Sequence, residues 1–75
     1  SPDGQPGVPP RPAPRLSPVE SRVYGLIGYE PMLQEAVLVA AELPPGEVLA
    51  AFTSLELKGL IKRLPGQLVV RSGTA

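Results

Sequence analysis

Cysteine and histidine are both missing from these 75 residues, and the aromatic side chains amount to two tyrosines and one phenylalanine. Without cysteine there is no disulfide staple, no thiolate metal site and no thiol nucleophile. Without histidine the side chain most used to move protons near neutral pH is gone. Charge of one sign is lacking too: seven basic and seven acidic residues cancel, so no overall field draws the chain to nucleic acid or to an anionic membrane. No apolar run approaches the ~18 residues that a membrane span needs. The opening residues have neither an apolar signal core nor an Arg/Ser-rich amphipathic pattern. These absences lead us to expect a cytoplasmic protein and, because the first residue is serine, a piece of a longer chain.

Proline is abundant by contrast, and six of the eleven prolines fall at or before Pro14. Residues 1–16 alternate proline with small and polar residues, show no hydrophobic period and lose a backbone donor at every proline. They read as a linker, in its proline-dense part a stiff polyproline II spacer. Pro9 and Pro12 make a PxxP, the spacing of a proline-rich ligand. Arg15, however, stands one place late for the arginine such ligands carry after the motif.

The remainder reads as one small domain, residues 17–71, with a frayed end at 72–75. Ser17-Pro18-Val19-Glu20 is a capping box with proline at the first helical position, so a helix starts at Pro18. Val19, Val23, Leu26 and Ile27 form its apolar stripe, and Gly28 is placed to end it in the left-handed conformation. Tyr29-Glu30-Pro31-Met32 is an extended connection, and a second helix covers about 33–41. Leu43-Pro44-Pro45-Gly46 turns sharply into a third helix that runs to about Lys58, has Val48, Phe52 and Leu55 inward, and is terminated by Gly59. Residues 60–64 and 67–71 are strand-like and flank Pro65-Gly66, the central pair of a type II turn. The architecture expected is mainly α with a small β-hairpin: a winged helix, three helices in helix-turn-helix order plus a wing.

Several residue groups in this order resemble one family, the carboxy-terminal winged-helix domain of the DNA-processing protein DprA, also called Smf. They are Leu16-Ser17 with Glu20, Gly28-Tyr29-Glu30-Pro31, Leu43-Pro44-Pro45 followed by Glu47-Val48-Leu49, the run Leu55-Glu56-Leu57-Lys58-Gly59-Leu60-Ile61, and Leu64-Pro65-Gly66 at the wing. The resemblance spans about residues 16–71, and the double proline before the third helix with Leu-Pro-Gly in a short wing is its most particular part. It implies that the full-length protein protects incoming single-stranded DNA during natural transformation and helps load the recombinase RecA. The single-strand surface of such proteins lies in a Rossmann-like domain that would precede the linker, so none of its residues carries over.

Three functional readings follow from the residues. In the first, the third helix enters a DNA major groove; its outward face, read as Gly46, Ala50, Thr53, Ser54 and Leu57 with Glu47 at the margin, offers no arginine for guanine and no asparagine for adenine. Backbone contact is then left to Lys58, Lys62, Arg63 and Arg71, of which the hairpin cluster Lys62, Arg63 and Arg71 reads rather as a charged edge that blunts strand pairing. In the second, a protein surface, the second helix is apolar nearly all round and leaves Leu38 or Val39 outside, with Leu57 outward on the third helix. One rotation of the second helix puts Leu33, Val37 and Ala40 or Ala41 inward; the other puts Val37, Leu38 and Ala41 inward; both expose Val39. The third reading, catalysis, fails because no nucleophile and base pair, phosphate loop or metal set can be assembled; the expectation is a non-enzyme without cofactor. We therefore expect an accessory winged-helix domain that acts by protein contact or weak DNA contact. Candidate partners are RecA, the preceding domain or a second copy, and the alternative is a duplex-binding regulator.

Overall fold

The computed structural model describes residues 15–72; the linker expected at residues 1–16 lies outside them up to residue 14. The element order is α1 (Pro18–Leu26), β1 (Met32–Leu33), α2 (Gln34–Ala41), α3 (Pro45–Leu57), β2 (Ile61–Leu64) and β3 (Leu68–Arg71). This is a winged helix, mainly helical with a small antiparallel hairpin. A third, two-residue strand joins the hairpin, and the sheet order is β1-β3-β2. Met32 pairs with Val69 and Leu33 with Leu68, so the segment expected as a plain connection is hydrogen-bonded to the wing.

Local chemistry explains most helix ends. The Ser17 hydroxyl accepts from the Glu20 amide at 3.1 Å while the Glu20 carboxylate accepts from the Ser17 amide at 2.8 Å, so the capping box forms as read. At the far end of α3, Gly59 takes φ 77°, its amide donates to Glu56 O, and the Leu60 amide donates to Leu55 O. That is the Schellman pattern, and it suits glycine because a Cβ is strained at such a φ.

Three expectations need correction. Helix α1 stops one residue early: Ile27 is extended at φ −99° and ψ 128°, and Gly28 is not in the left-handed region. The reason is that the last carbonyls of α1 are satisfied from the wing by Arg71, so no glycine cap is needed. Second, α2 starts at Gln34, because Leu33 is held in β1, and it ends with Glu42 in the left-handed region at φ 55°. Third, the wing loop has three residues, since Leu64 pairs with Leu68 and Gln67 joins Gly66 at positive φ. The Gln67 carbonyl is diverted to accept from the Gln34 amide at 2.9 Å, which removes Gln67 from the strand. At the other end the Ser72 amide donates to Leu60 O at 2.9 Å, so Ser72 is tied to the domain.

The core gathers one stripe from each element: Val23 and Ile27 of α1 and its end, Val37 and Ala41 of α2, Val48, Ala51, Phe52 and Leu55 of α3, Ile61 and Val69 of the wing. Leu16, Val19, Leu26 and Leu38 pack on it half-buried. Burying each of the fully buried valine, leucine, isoleucine and phenylalanine side chains contributes on the order of 1.5–3 kcal/mol, which is what holds the short wing strands against the helices.

Candidate functional site

Helix α3 occupies the position from which a winged helix presents its outer face. With Val48, Ala51, Phe52 and Leu55 buried, the 100° step per residue puts Gly46, Ala50, Thr53 and Leu57 opposite them and Leu49 at one edge. All five are exposed, Leu57 by 84% and Leu49 by 44%. None carries charge; Glu47 and, just past the helix end, Lys58 stand on one flank, Glu56 stands on the other, and the Arg63 guanidinium reaches Thr53 from the wing. Ser54, expected on this face, is half-buried and turns toward α1, where its hydroxyl donates to the Glu20 carboxylate.

The cations expected at a DNA backbone are mostly engaged inside the domain. Arg71 Nε donates to Ile27 O at 2.6 Å and its Nη2 donates to Tyr24 O at 3.1 Å. Its guanidinium lies 4.0 Å from the Tyr24 ring centroid and 5.7 Å from that of Tyr29. Lys58 Nζ donates to Glu20 Oε1 at 2.8 Å and to Arg15 O at 2.7 Å. Arg63 donates through Nη2 to the Thr53 hydroxyl at 2.8 Å and lies 5.6 Å from the Phe52 ring centroid. Its Nε is 3.3 Å from Glu56 Oε1 but is not aligned for a hydrogen bond, so this contact is an ion pair alone. Arg22 Nε donates to Ala41 O at 2.6 Å. Lys62 is exposed and, among the described residues, takes no hydrogen bond or ion pair.

Glu20 is the hub of the polar contacts. Besides capping α1 it receives Lys58 and Ser54 from α3, and these bonds, Lys58 first, then Ser54 and the Ser17 amide, hold its carboxyl down at about 2 against the ordinary 4.5. Beside it an open groove of about 300 Å³ runs between the start of α1 and α3, lined by Ser17, Val19, Glu20, Glu47, Ala50, Ala51 and Ser54. A serine next to a carboxylate has the outline of a nucleophile and base. In this structure the carboxylate ties α1 to α3, because it accepts from the Ser54 hydroxyl and the Lys58 ammonium as well as from the Ser17 amide. Among the described residues no three metal-ligating side chains cluster.

On α2, Val37 and Ala41 are buried and Leu38 packs half-buried on the core, while Val39 is 73% exposed. The second of the two helix rotations therefore holds, and Leu33, inward in the first, is exposed on β1. Sequence reasoning missed three features: the Glu20 hub, the seat of Arg71 on Tyr24, and the exposure of Leu49. Only the last had a local signal, because Leu49 is one step of the helical wheel from buried Val48.

The comparisons agree with this architecture. The family model of the DprA winged helix domain matches residues 7–67, beginning inside the stretch read as linker. No curated protein and no solved structure gives a significant match. No helix among the described residues is long and apolar enough to cross a membrane. With the three helices, the first wing strand and most of the chain's length inside the match, the chain belongs to the DprA winged helix domain family.

Proposed function

We propose that this domain is an accessory interaction module of a DprA-type DNA-processing protein, acting through protein contact at the outer face of α3 and not as a reader of duplex sequence. In this reading residues 1–16 tether the domain 17–71 to a Rossmann-like domain that handles single-stranded DNA in the cytoplasm during natural transformation, and the winged helix itself is not a catalyst. RecA and that preceding domain are partners of the right kind.

The observation that carries the reading is the pairing of charge around α3. A major-groove reader needs cations for phosphates and forked donors for base edges. Here the residues of the presenting face carry no charge, Glu47 and Glu56 stand on its flanks, and Lys58, Arg63 and Arg71 are engaged by intramolecular partners. Among the described residues Lys62 and Arg15 remain, and together with Arg11 of the preceding stretch three neutralised phosphates correspond to a salt slope no steeper than about −3.

The test is fluorescence anisotropy of the 75-residue chain against labelled duplexes of differing sequence over a salt series. Feeble binding without sequence preference is expected. Submicromolar, sequence-selective binding at physiological salt would overturn the proposal and restore the duplex-binding regulator.

A further inference from the structure

We propose that residues 7–14 of this chain seat in the groove between α1 and α3, with Arg11 paired to Glu47. These residues lie outside the described ones, and their seating is independent of the protein contact proposed above. Four observations select this segment as the occupant.

The first is delivery. Leu16 packs half-buried on the core, and the Arg15 carbonyl accepts from Lys58 Nζ at 2.7 Å. The chain is thus pinned beside the C-terminal end of α3, one helical turn from Ser54 in the groove wall. Because they are attached there, the preceding residues meet the groove at an effective concentration of about millimolar, so a contact too weak to hold a free peptide is populated.

The second is chemistry. Val19, Ala50 and Ala51 give the groove apolar walls, and its hydroxyls are already engaged: Ser54 donates to the Glu20 carboxylate and Ser17 accepts from the Glu20 amide. Such a surface suits a segment with few donors, and Pro9, Pro10, Pro12 and Pro14 have no amide hydrogen. Proline also fixes φ before docking, so little conformational entropy is lost on seating. Pro9 and Pro12 are three apart, hence on one edge of a polyproline II helix, and that edge faces the alanines.

The third is charge and reach. The Glu47 carboxylate stands at the far end of the groove, exposed and without a hydrogen bond or ion pair among the described residues. Arg11 is the one charged residue of the segment. Glu47 lies eleven residues before Lys58, about 16 Å along a helix. Polyproline II from Arg15 back to Arg11 covers about 12 Å, and the long arginine side chain covers the rest. The fourth is the family match, which starts at residue 7, so the pattern that defines this domain takes in the eight residues ahead of Arg15. A seated segment leaves residues 1–6 as the tether and carries it to the N-terminal end of α3.

The cysteine-free sequence permits a direct test. Gly7→Cys carrying a nitroxide, in the 75-residue chain labelled with ¹⁵N, should broaden the amides of Gly46 and Glu47 several-fold more than that of Lys58. In the seated chain residue 7 lies about 25 Å from Arg15, past the Glu47 end. An unseated chain gives the reverse order, because its label stays centred on the point of attachment beside Lys58. Arg11→Glu should reverse the order, and adding Glu47→Arg should restore it. Strongest broadening at Lys58 in the parent sequence overturns the seating, as does an order that ignores the charge exchange. Broadening in a mixture of nitroxide-bearing chain with ¹⁵N chain that carries no nitroxide would assign the segment to a second copy, and it too overturns the seating. None of these results touches the duplex-binding test, so the protein-contact reading stands or falls separately.

Discussion

Arg71 separates two accounts of the basic residues. By sequence it belongs with Lys58, Lys62 and Arg63 at a DNA backbone; in the fold it holds the end of α1 from the last residue of β3. Replacing it by methionine keeps much of the aliphatic stem and removes the guanidinium. Two hydrogen bonds to carbonyls are lost, to Ile27 O and Tyr24 O. A hydrogen bond from a charged donor contributes about 1.5–3 kcal/mol net, and both values belong at the low end because water can reach a half-buried site. The stack on Tyr24, at 4.0 Å, adds about 0.5–1 kcal/mol. Rehydration of the freed carbonyls offsets part of this, leaving a loss of about 2–4 kcal/mol. In so small a domain each kcal/mol moves the melting temperature by about 4–8 °C. Arg71→Met should therefore melt roughly 10–25 °C below the parent. Arg71→Lys, which keeps the charge but neither the planar stack nor the fork, should recover little of that. Thermal melting by circular dichroism, with duplex titration at a temperature where each variant is folded, decides the matter. A Met variant that melts with the parent while losing DNA affinity would refute the reasoning and return Arg71 to the backbone-contact set.

Two further outcomes follow from the core and from the Glu20 hub. The Glu20 carboxyl is held at about 2 in the fold against 4.5 ordinarily, so the unfolded chain binds its proton first; its stabilisation is present above about 4.5 and is lost as the pH falls from there through about 2. Melting temperatures measured across that window should drop less steeply for Glu20→Gln than for the parent, and parallel curves would remove Glu20 as the cause. On α2, Val39→Asp should melt close to the parent because Val39 is exposed, whereas Val37→Asp should fail to fold, since an unpaired carboxylate is forced into a fully buried position. A folded Val37→Asp would mean that α2 is rotated.

The parts of the fold that could be read in advance are those encoded within a few residues. Ser17 to Glu20 encodes the start of α1, Gly59 the end of α3, and the spacing of Val48, Phe52 and Leu55 its inner face. What escaped is long-range. The two-residue strand at Met32 is too short to show a period and exists because β3 offers it an edge. Gly28 looked like a cap until Arg71, more than forty residues on, supplied the donors. Ser54 sits on the wheel as a surface residue, and it turns inward only because Glu20, from another helix, lies beside it. A wheel states which face of a helix is out, not which side chain from elsewhere will stand on its border.

The same limit decides how charge should be read in this domain. Counting lysines and arginines assigns four cations to a nucleic-acid surface, because a sequence does not show where a guanidinium is already bonded. In the fold Arg71, Lys58 and Arg63 close helix ends or pair with carboxylates and a hydroxyl, and every such bond subtracts from the field available to a phosphate. What is left at the outer face of α3 is uncharged in its own residues, bordered by the ion pair of Arg63 with Glu56 and by Glu47, and aliphatic at Leu49 and Leu57. A polyanion gains nothing there, since desolvating those carboxylates beside phosphates is repulsive without compensation. The outer-face residues from which a helix-turn-helix reads bases are, in this chain, glycine, alanine, threonine and leucine, none of which carries a forked donor for a base edge.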